Sequence, residues 1–227
     1  MKCLKRITLH VLPVIIAIII WAALSHVLSV TTGRGTIEHI FGTKYNNTEQ
    51  LPPIDAAASP AELTQRAFGI LVDMKERDYS ALSRTVHPEY GVVFSPYATI
   101  TLSASNASKC FTAAQVAAFG SDNASYVWGA YDGSGEPIQM TPDEYFARFV
   151  FDKDFTAAQE IGIDYIIKSG NALENIKDTF PDIRFVDFHI PGDETSGDTG
   201  WSSLRLGFEE YDGELMLTVI LHSEWTV

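Results

Sequence analysis

Ser203-Leu-Arg-Leu-Gly-Phe-Glu-Glu-Tyr-Asp-Gly-Glu-Leu-Met-Leu-Thr-Val-Ile-Leu-His-Ser-Glu-Trp225 is the stretch that decides the fold. It reads as two long strands joined by a tight turn. In its first half Leu204, Leu206 and Phe208 alternate with Ser203, Arg205, Gly207 and Glu209, the period of two that places one set on each face of a strand. In its second half Leu215, Leu217, Val219, Leu221 and Trp225 alternate with Met216, Thr218, Ile220, His222 and Glu224. Asp212-Gly213 lies between them, and a type I′ turn needs positive φ at both central residues, which this pair tolerates. With those two residues as the turn, Phe208 faces Leu217, Leu206 faces Val219 and Leu204 faces Leu221. The same register predicts Ser203 opposite His222, Trp201 opposite Glu224, and Arg205 diagonal to His222. It therefore collects Ser203, Arg205, His222 and Glu224 on one polar face.

Upstream, Ser59-Pro60-Ala61-Glu62 is a capping box with proline in the first helical turn. Leu63, Ala67, Ile70, Leu71 and Met74 follow at helical spacing. Asp78 caps a second short helix, Tyr79–Val86, with Leu82 and Val86 inward, and His87-Pro88 ends it. Gly91–Leu102 reads as a strand broken at Pro96, hence an edge or a bulge. A short helix is expected around Thr112–Phe119, a brief strand at Tyr126–Tyr131, and a turn at Asp132–Glu136. Thr141-Pro142-Asp143-Glu144 is a second capping box, whose helix carries Tyr145, Phe146, Phe149 and Val150. Ile161–Ile167 suits strand or helix, with strand preferred. Asn171–Thr179 reads as a short helix and Ile183–Ile190 as a strand. This order defines an α+β domain over residues 59–227.

The N-terminus carries a different signal. Lys2, Lys5 and Arg6 precede an apolar run from Ile7 to Val30, long enough for a bilayer core. Positive charge before the span predicts a single-pass protein with its N-terminus cytoplasmic and its domain outside, in the cell envelope. Residues 1–31 are thus a membrane anchor or uncleaved signal, with a cleaved signal peptide as the rival. Residues 32–58, mixed in Gly, Thr, Asn, Pro and Ala, form a linker. The net charge is −13. Residues 1–50 contribute +3, so −16 falls on the remainder, a charge that repels phosphate backbones and excludes nucleic acid as a partner. Cys3 and Cys110 lie on opposite sides of the apolar run, so no intramolecular disulfide is expected if that run spans a membrane, and Cys110 reads as a small buried residue. Three glycosylation sequons, at Asn46, Asn106 and Asn123, are short enough to arise by chance.

The segment Arg77-Asp-Tyr-Ser-Ala-Leu-Ser-Arg-Thr-Val-His-Pro88 and the closing hairpin resemble the NTF2-like superfamily, which includes ketosteroid-isomerase-like and polyketide-cyclase-like proteins. That resemblance implies a cone-like domain with a curved antiparallel sheet wrapped on helices and a pocket at its wide end. Relatives use the pocket as an enzyme site, a ligand cavity or an assembly surface, and no Asp or Glu here matches the catalytic base of the isomerase-like members. Phe94–Tyr97, Trp128–Pro137 and His222–Val227 are also similar to segments of uncharacterised exported or lipoprotein-like bacterial proteins. Dimerisation through the sheet's outer face is compatible with the fold type.

Among candidate chemistries, His222 as base, Glu224 as its orienting carboxylate and Arg205 as an anion holder form the best catalytic set. The competing expectation is a solvated face whose charges pair across strands. Ser203 lacks the strained elbow of a hydrolase nucleophile. His87, His189 and His222 with Asp187 are too widely spaced to predict a metal site. Asp193, Glu194 and Asp198 fit no calcium loop, and Asp132–Glu136 lacks the lysine and helix of a phosphate-binding loop. Neither a metal nor a cofactor is therefore expected. Tyr97 and Trp128 are the aromatic residues expected to line a pocket, with Arg205 and His222 as its polar contacts. The leading expectation is a membrane-anchored, non-catalytic module that binds a small apolar or amphipathic ligand. The alternative is a small-molecule enzyme of isomerase, dehydratase or hydrolase type using His222 and Glu224 in a sheet pocket.

Overall fold

The computed structural model describes residues 58–102, 108–193, 195 and 199–226. The apolar run 7–30, the linker, the Cys3 half of the cysteine question, Asn46 and Asn106, and Glu194 and Asp198 lie outside the described residues. No helix among the described residues is long and apolar enough to cross a membrane.

The first helix, α1 (Pro60–Lys75), begins at the Ser59 capping box, with Ser59 and Glu62 bonded reciprocally. It buries Leu63, Ala67, Ile70, Leu71 and Met74, the five residues that the spacing selects. α2 (Tyr79–Thr85) is capped by Asp78, whose side chain accepts from the Ala81 amide. The strands β1 (Val92–Ser95), β2 (Lys109–Phe111), β5 (Glu160–Ile163), β6 (Arg184–Ile190), β7 (Ser202–Tyr211) and β8 (Glu214–Glu224) make one six-stranded sheet in the order β2-β1-β8-β7-β6-β5. β3 (Tyr126–Ala130) and β4 (Pro137–Met140) form a separate antiparallel pair. Three short helices, α3 (Ala113–Ala117), α4 (Pro142–Tyr145) and α5 (Ile176–Thr179), complete the α+β fold.

The large sheet is mixed, not antiparallel as expected, because β1 runs parallel to β8. The two are separated by more than a hundred residues, so no hairpin constrains their direction. Nor is β1 an edge: Pro96 ends it, and β2 covers its outer side.

The terminal hairpin forms with Asp212 at φ 52° and Gly213 at φ 80°, as the turn chemistry requires. Next to the turn the expected register holds, with Phe208 opposite Leu217. Beyond it the register slips. Gly207 pairs with Val219, leaving Thr218 as an extra residue in a β-bulge. Leu204 therefore faces His222, Ser203 faces Ser223, and Ser202 faces Glu224. A one-residue slip exchanges faces, so the expected polar set is divided. His222 and Glu224 share a face with Ser202, Leu204 and Leu206; Ser203 and Arg205 lie on the opposite one.

Both faces are buried. The first packs on α1 and an aromatic cluster that includes Phe94, Phe111, Phe146, Phe188 and Trp128. The second is covered by a strap, residues 164–183, of largely irregular chain. Gly207 sits beneath it, where a Cβ would come within 2.6 Å of Ile183 Cδ1. Gly170 packs as closely, with its Cβ direction 2.8 Å from the Glu224 carbonyl oxygen. The outer sheet face invoked for dimerisation is thus already covered within the chain. Cys110 is half-buried, not buried, with Sγ 3.4 Å from the Tyr90 carbonyl oxygen, and it is disulfide-bonded, against the expectation of no bridge.

Candidate functional site

Two neighbouring features at the C-terminal end of β8 carry chemistry, and both are assembled from segments far apart in sequence. One is a buried cluster around His222. α4 starts at the Thr141 capping box and runs into a π-turn, Phe146–Val150, closed by the Phe151 amide on the Phe146 carbonyl. Such turns re-aim side chains within a helix. This one brings Arg148, Phe149 and the following Asp152 against β8. His222 is fully buried. Its Nε2 lies 3.0 Å from Ser202 Oγ and 3.3 Å from Asp152 Oδ1, and its Nδ1 lies 3.3 Å from the Pro96 carbonyl oxygen. Ser202 Oγ also lies 3.1 Å from Asp152 Oδ2. Glu224 is held by both terminal nitrogens of Arg148, at 2.6 and 3.3 Å. The Arg148 guanidinium in turn lies over the Phe149 ring at 4.4 Å. Burial raises the Asp152 carboxyl, but His222, the Ser202 hydroxyl and Arg148 outweigh it and leave its pKa below the usual carboxylate value.

This arrangement differs from a Ser-His-Asp triad. There the acid and the nucleophile occupy opposite ring nitrogens; here Ser202 and Asp152 share Nε2, and a backbone carbonyl occupies the other side. Ser203, the hydroxyl that the expected register placed by His222, instead bonds His189 Nδ1 at 2.8 Å on the far face. Burial lowers the His189 pKa, with Lys168 and Lys153 adding to the fall and Asp187 and Glu160 opposing it.

Arg205 is also fully buried. Glu174 of the strap bonds it through Nη1 at 2.5 Å, and Asp187 lies 3.4 Å from Nη2. Asp187 accepts as well from the Ile167 amide. Neither the solvated face nor an anion holder beside His222 is realised: Arg205 clasps the strap. His189 and His222 lie on opposite faces of the sheet, so the three histidines do not converge with Asp187.

The second feature is a cavity of about 400 Å³ beside the cluster. Tyr97 and Tyr131 form walls, Thr99, Asp132 and Asn171 supply polar groups, and Leu173, 72% exposed, stands at the rim. Pro96 joins the two features, since it lines the cavity while its carbonyl meets His222. Asn171 and Asp132 are both tied to Thr226, two residues beyond Glu224. Burial, with Glu224 nearby, raises the Tyr97 phenol above its ordinary pKa, so it stays a neutral donor. Trp128 is elsewhere. It is fully buried, stacked on Tyr145 at 3.9 Å, with Nε1 donating to the Met140 carbonyl, and belongs to the core.

Sequence reasoning missed Asp152, Arg148, Ser202 and Glu174. Gly207 inside an alternating strand was the available hint of a bulge, and hence of Ser202 in place of Ser203; no spacing pointed to the other three. Comparison of the chain with protein-family models, curated proteins and solved structures finds no match.

Proposed function

We propose that residues 59–227 are a non-catalytic binding module for a small amphipathic ligand, of NTF2-like type, held outside a bacterial membrane by the apolar run 7–30. The observation that carries the reading is the cavity. Its volume falls within the range of small-molecule sites, and Tyr97 and Tyr131 wall it among the polar groups of Thr99, Thr101, Ser108, Asp132 and Asn171, with Leu173 at the rim. The element order supports the family assignment: two N-terminal helices, then strands that end in a long C-terminal hairpin. The enzymatic alternative is disfavoured by His222 itself. It is fully buried, and each ring nitrogen already faces a protein oxygen. A general base must reach the proton it abstracts.

Native mass spectrometry of the full chain, extracted gently from its source membrane, tests this. The expected spectrum shows a discrete extra mass that is lost on denaturation and depleted in Tyr97→Ala and Tyr131→Ala variants. A bare chain, or an adduct unaffected by either substitution, would count against the cavity.

A further inference from the structure

We propose that His222, Asp152 and Glu224 form a binding site for a single divalent transition-metal ion of zinc type. It lies beyond the cavity reading and does not depend on it. One ligand atom from each of the three residues can be chosen so that all lie within 4.8 Å of one another. His222 Nε2 and Asp152 Oδ1 are 3.3 Å apart. Two ligands bonded to one tetrahedral ion at about 2.0–2.1 Å stand about 3.3 Å apart, so this contact has the length of a tetrahedral edge.

Two further observations favour a cation over a simple ion pair. Asp152 Oδ1 is a fully buried atom whose one near partner is His222 Nε2, 3.3 Å away. With the imidazole proton on Nδ1, Nε2 cannot donate to that oxygen, and two facing lone pairs call for a cation between them. The His222 ring is also oriented as metal-binding imidazoles are. Its Nδ1 faces the Pro96 carbonyl, an acceptor that places the proton on Nδ1 and leaves an Nε2 lone pair beside Ser202 Oγ and Asp152 Oδ1.

Ser202 Oγ, 3.0 Å from Nε2, or a water supplies the fourth position. Arg148 does not block the site. Its two bonds use one lone pair on each Glu224 oxygen, and ligating carboxylates are commonly held in this way. One imidazole with two carboxylates suits zinc-like ions better than magnesium or calcium, which prefer all-oxygen shells.

The test uses the full chain, freed of metal with a chelator and titrated with Zn²⁺ against a chromogenic competitor, then with Co²⁺ by visible absorption. The expected result is one equivalent of Zn²⁺ bound and a tetrahedral Co²⁺ spectrum. Both should be lost in His222→Gln and Asp152→Asn and retained in Ser203→Ala on the opposite sheet face. Because His222 is buried, Glu224→Gln provides a second probe at the end of β8. It should weaken Zn²⁺ at least tenfold while leaving the circular dichroism spectrum unchanged. No stoichiometric binding by the parent chain overturns the proposal. So does binding that survives both the His222 and Asp152 substitutions, or an unchanged affinity in a folded Glu224→Gln chain.

Discussion

Removing the Glu174 carboxylate should loosen the strap and destabilise the whole domain. The Arg205 side chain is 0% exposed and that of Glu174 15%. In Glu174→Ala the guanidinium keeps only Asp187, at 3.4 Å, and its Nε already has no hydrogen-bond partner. Breaking a buried pair by deleting one partner costs about 3–5 kcal/mol, because the other charge stays desolvated. Water can reach the Glu174 position in part, so the lower end, about 3 kcal/mol, is expected. With a urea slope of about 2 kcal/mol/M, the unfolding midpoint should fall by about 1.5 M. Buried Trp128 and Trp201 provide the fluorescence signal. Glu174→Gln, which keeps the shape but loses the charge, should shift it by about half as much. Glu210→Ala on the exposed end of β7 should stay within about 0.5 kcal/mol. A Glu174→Ala midpoint no lower than that of Glu210→Ala would instead mean that solvent screens the pair as it does on a surface.

Three other outcomes follow from the same geometry. Gly207→Ala should cost about 2–3 kcal/mol by driving a methyl into Ile183, whereas Gly69→Ala, with open space at its Cβ, should be neutral or stabilising; urea melts compare them. Trp128→Ala should cost about 3–5 kcal/mol in the same assay, as a core cavity does, and Tyr97→Ala far less. His189, whose pKa is lowered in the folded state, binds its proton more weakly there than in the unfolded chain. Its contribution to stability is therefore full above the unfolded value of about 6.5 and is lost as pH falls through the folded value. His189→Gln should flatten that part of the stability profile, measured by melting at successive pH values.

Features fixed by local chemistry were legible in the sequence. Asp212-Gly213 made its turn, and Ser59-Pro-Ala-Glu62 and Thr141-Pro-Asp-Glu144 made their caps, because each is satisfied by atoms three or four residues away. The five buried residues of α1 followed from helical spacing alone. The second capping box promised a longer helix than α4, which gives way to the π-turn that aims Arg148 and Phe149. The faces of the hairpin were misread because a single extra residue, Thr218, exchanges them, and alternation in Leu215–Leu221 looks the same on either side of the slip. That run holds only one polar residue, the pattern of a strand buried on both sides, and it signalled the covering strap better than the alternation did. Arg205 looked like a surface charge because its partner Glu174 comes from irregular chain thirty-one residues away. Asp152 reaches His222 from a turn seventy residues distant, a proximity that no spacing rule encodes.

A crystal structure of the chain purified without denaturation shows whether the cavity walled by Tyr97 and Tyr131 holds a ligand. Continuous non-protein density is expected between the two tyrosine rings, with a polar end at Asp132 or Asn171 and an apolar end towards Leu173. Ordered water alone in that space, with a ligand seated instead against an opened His222, would contradict it and return the enzymatic alternative.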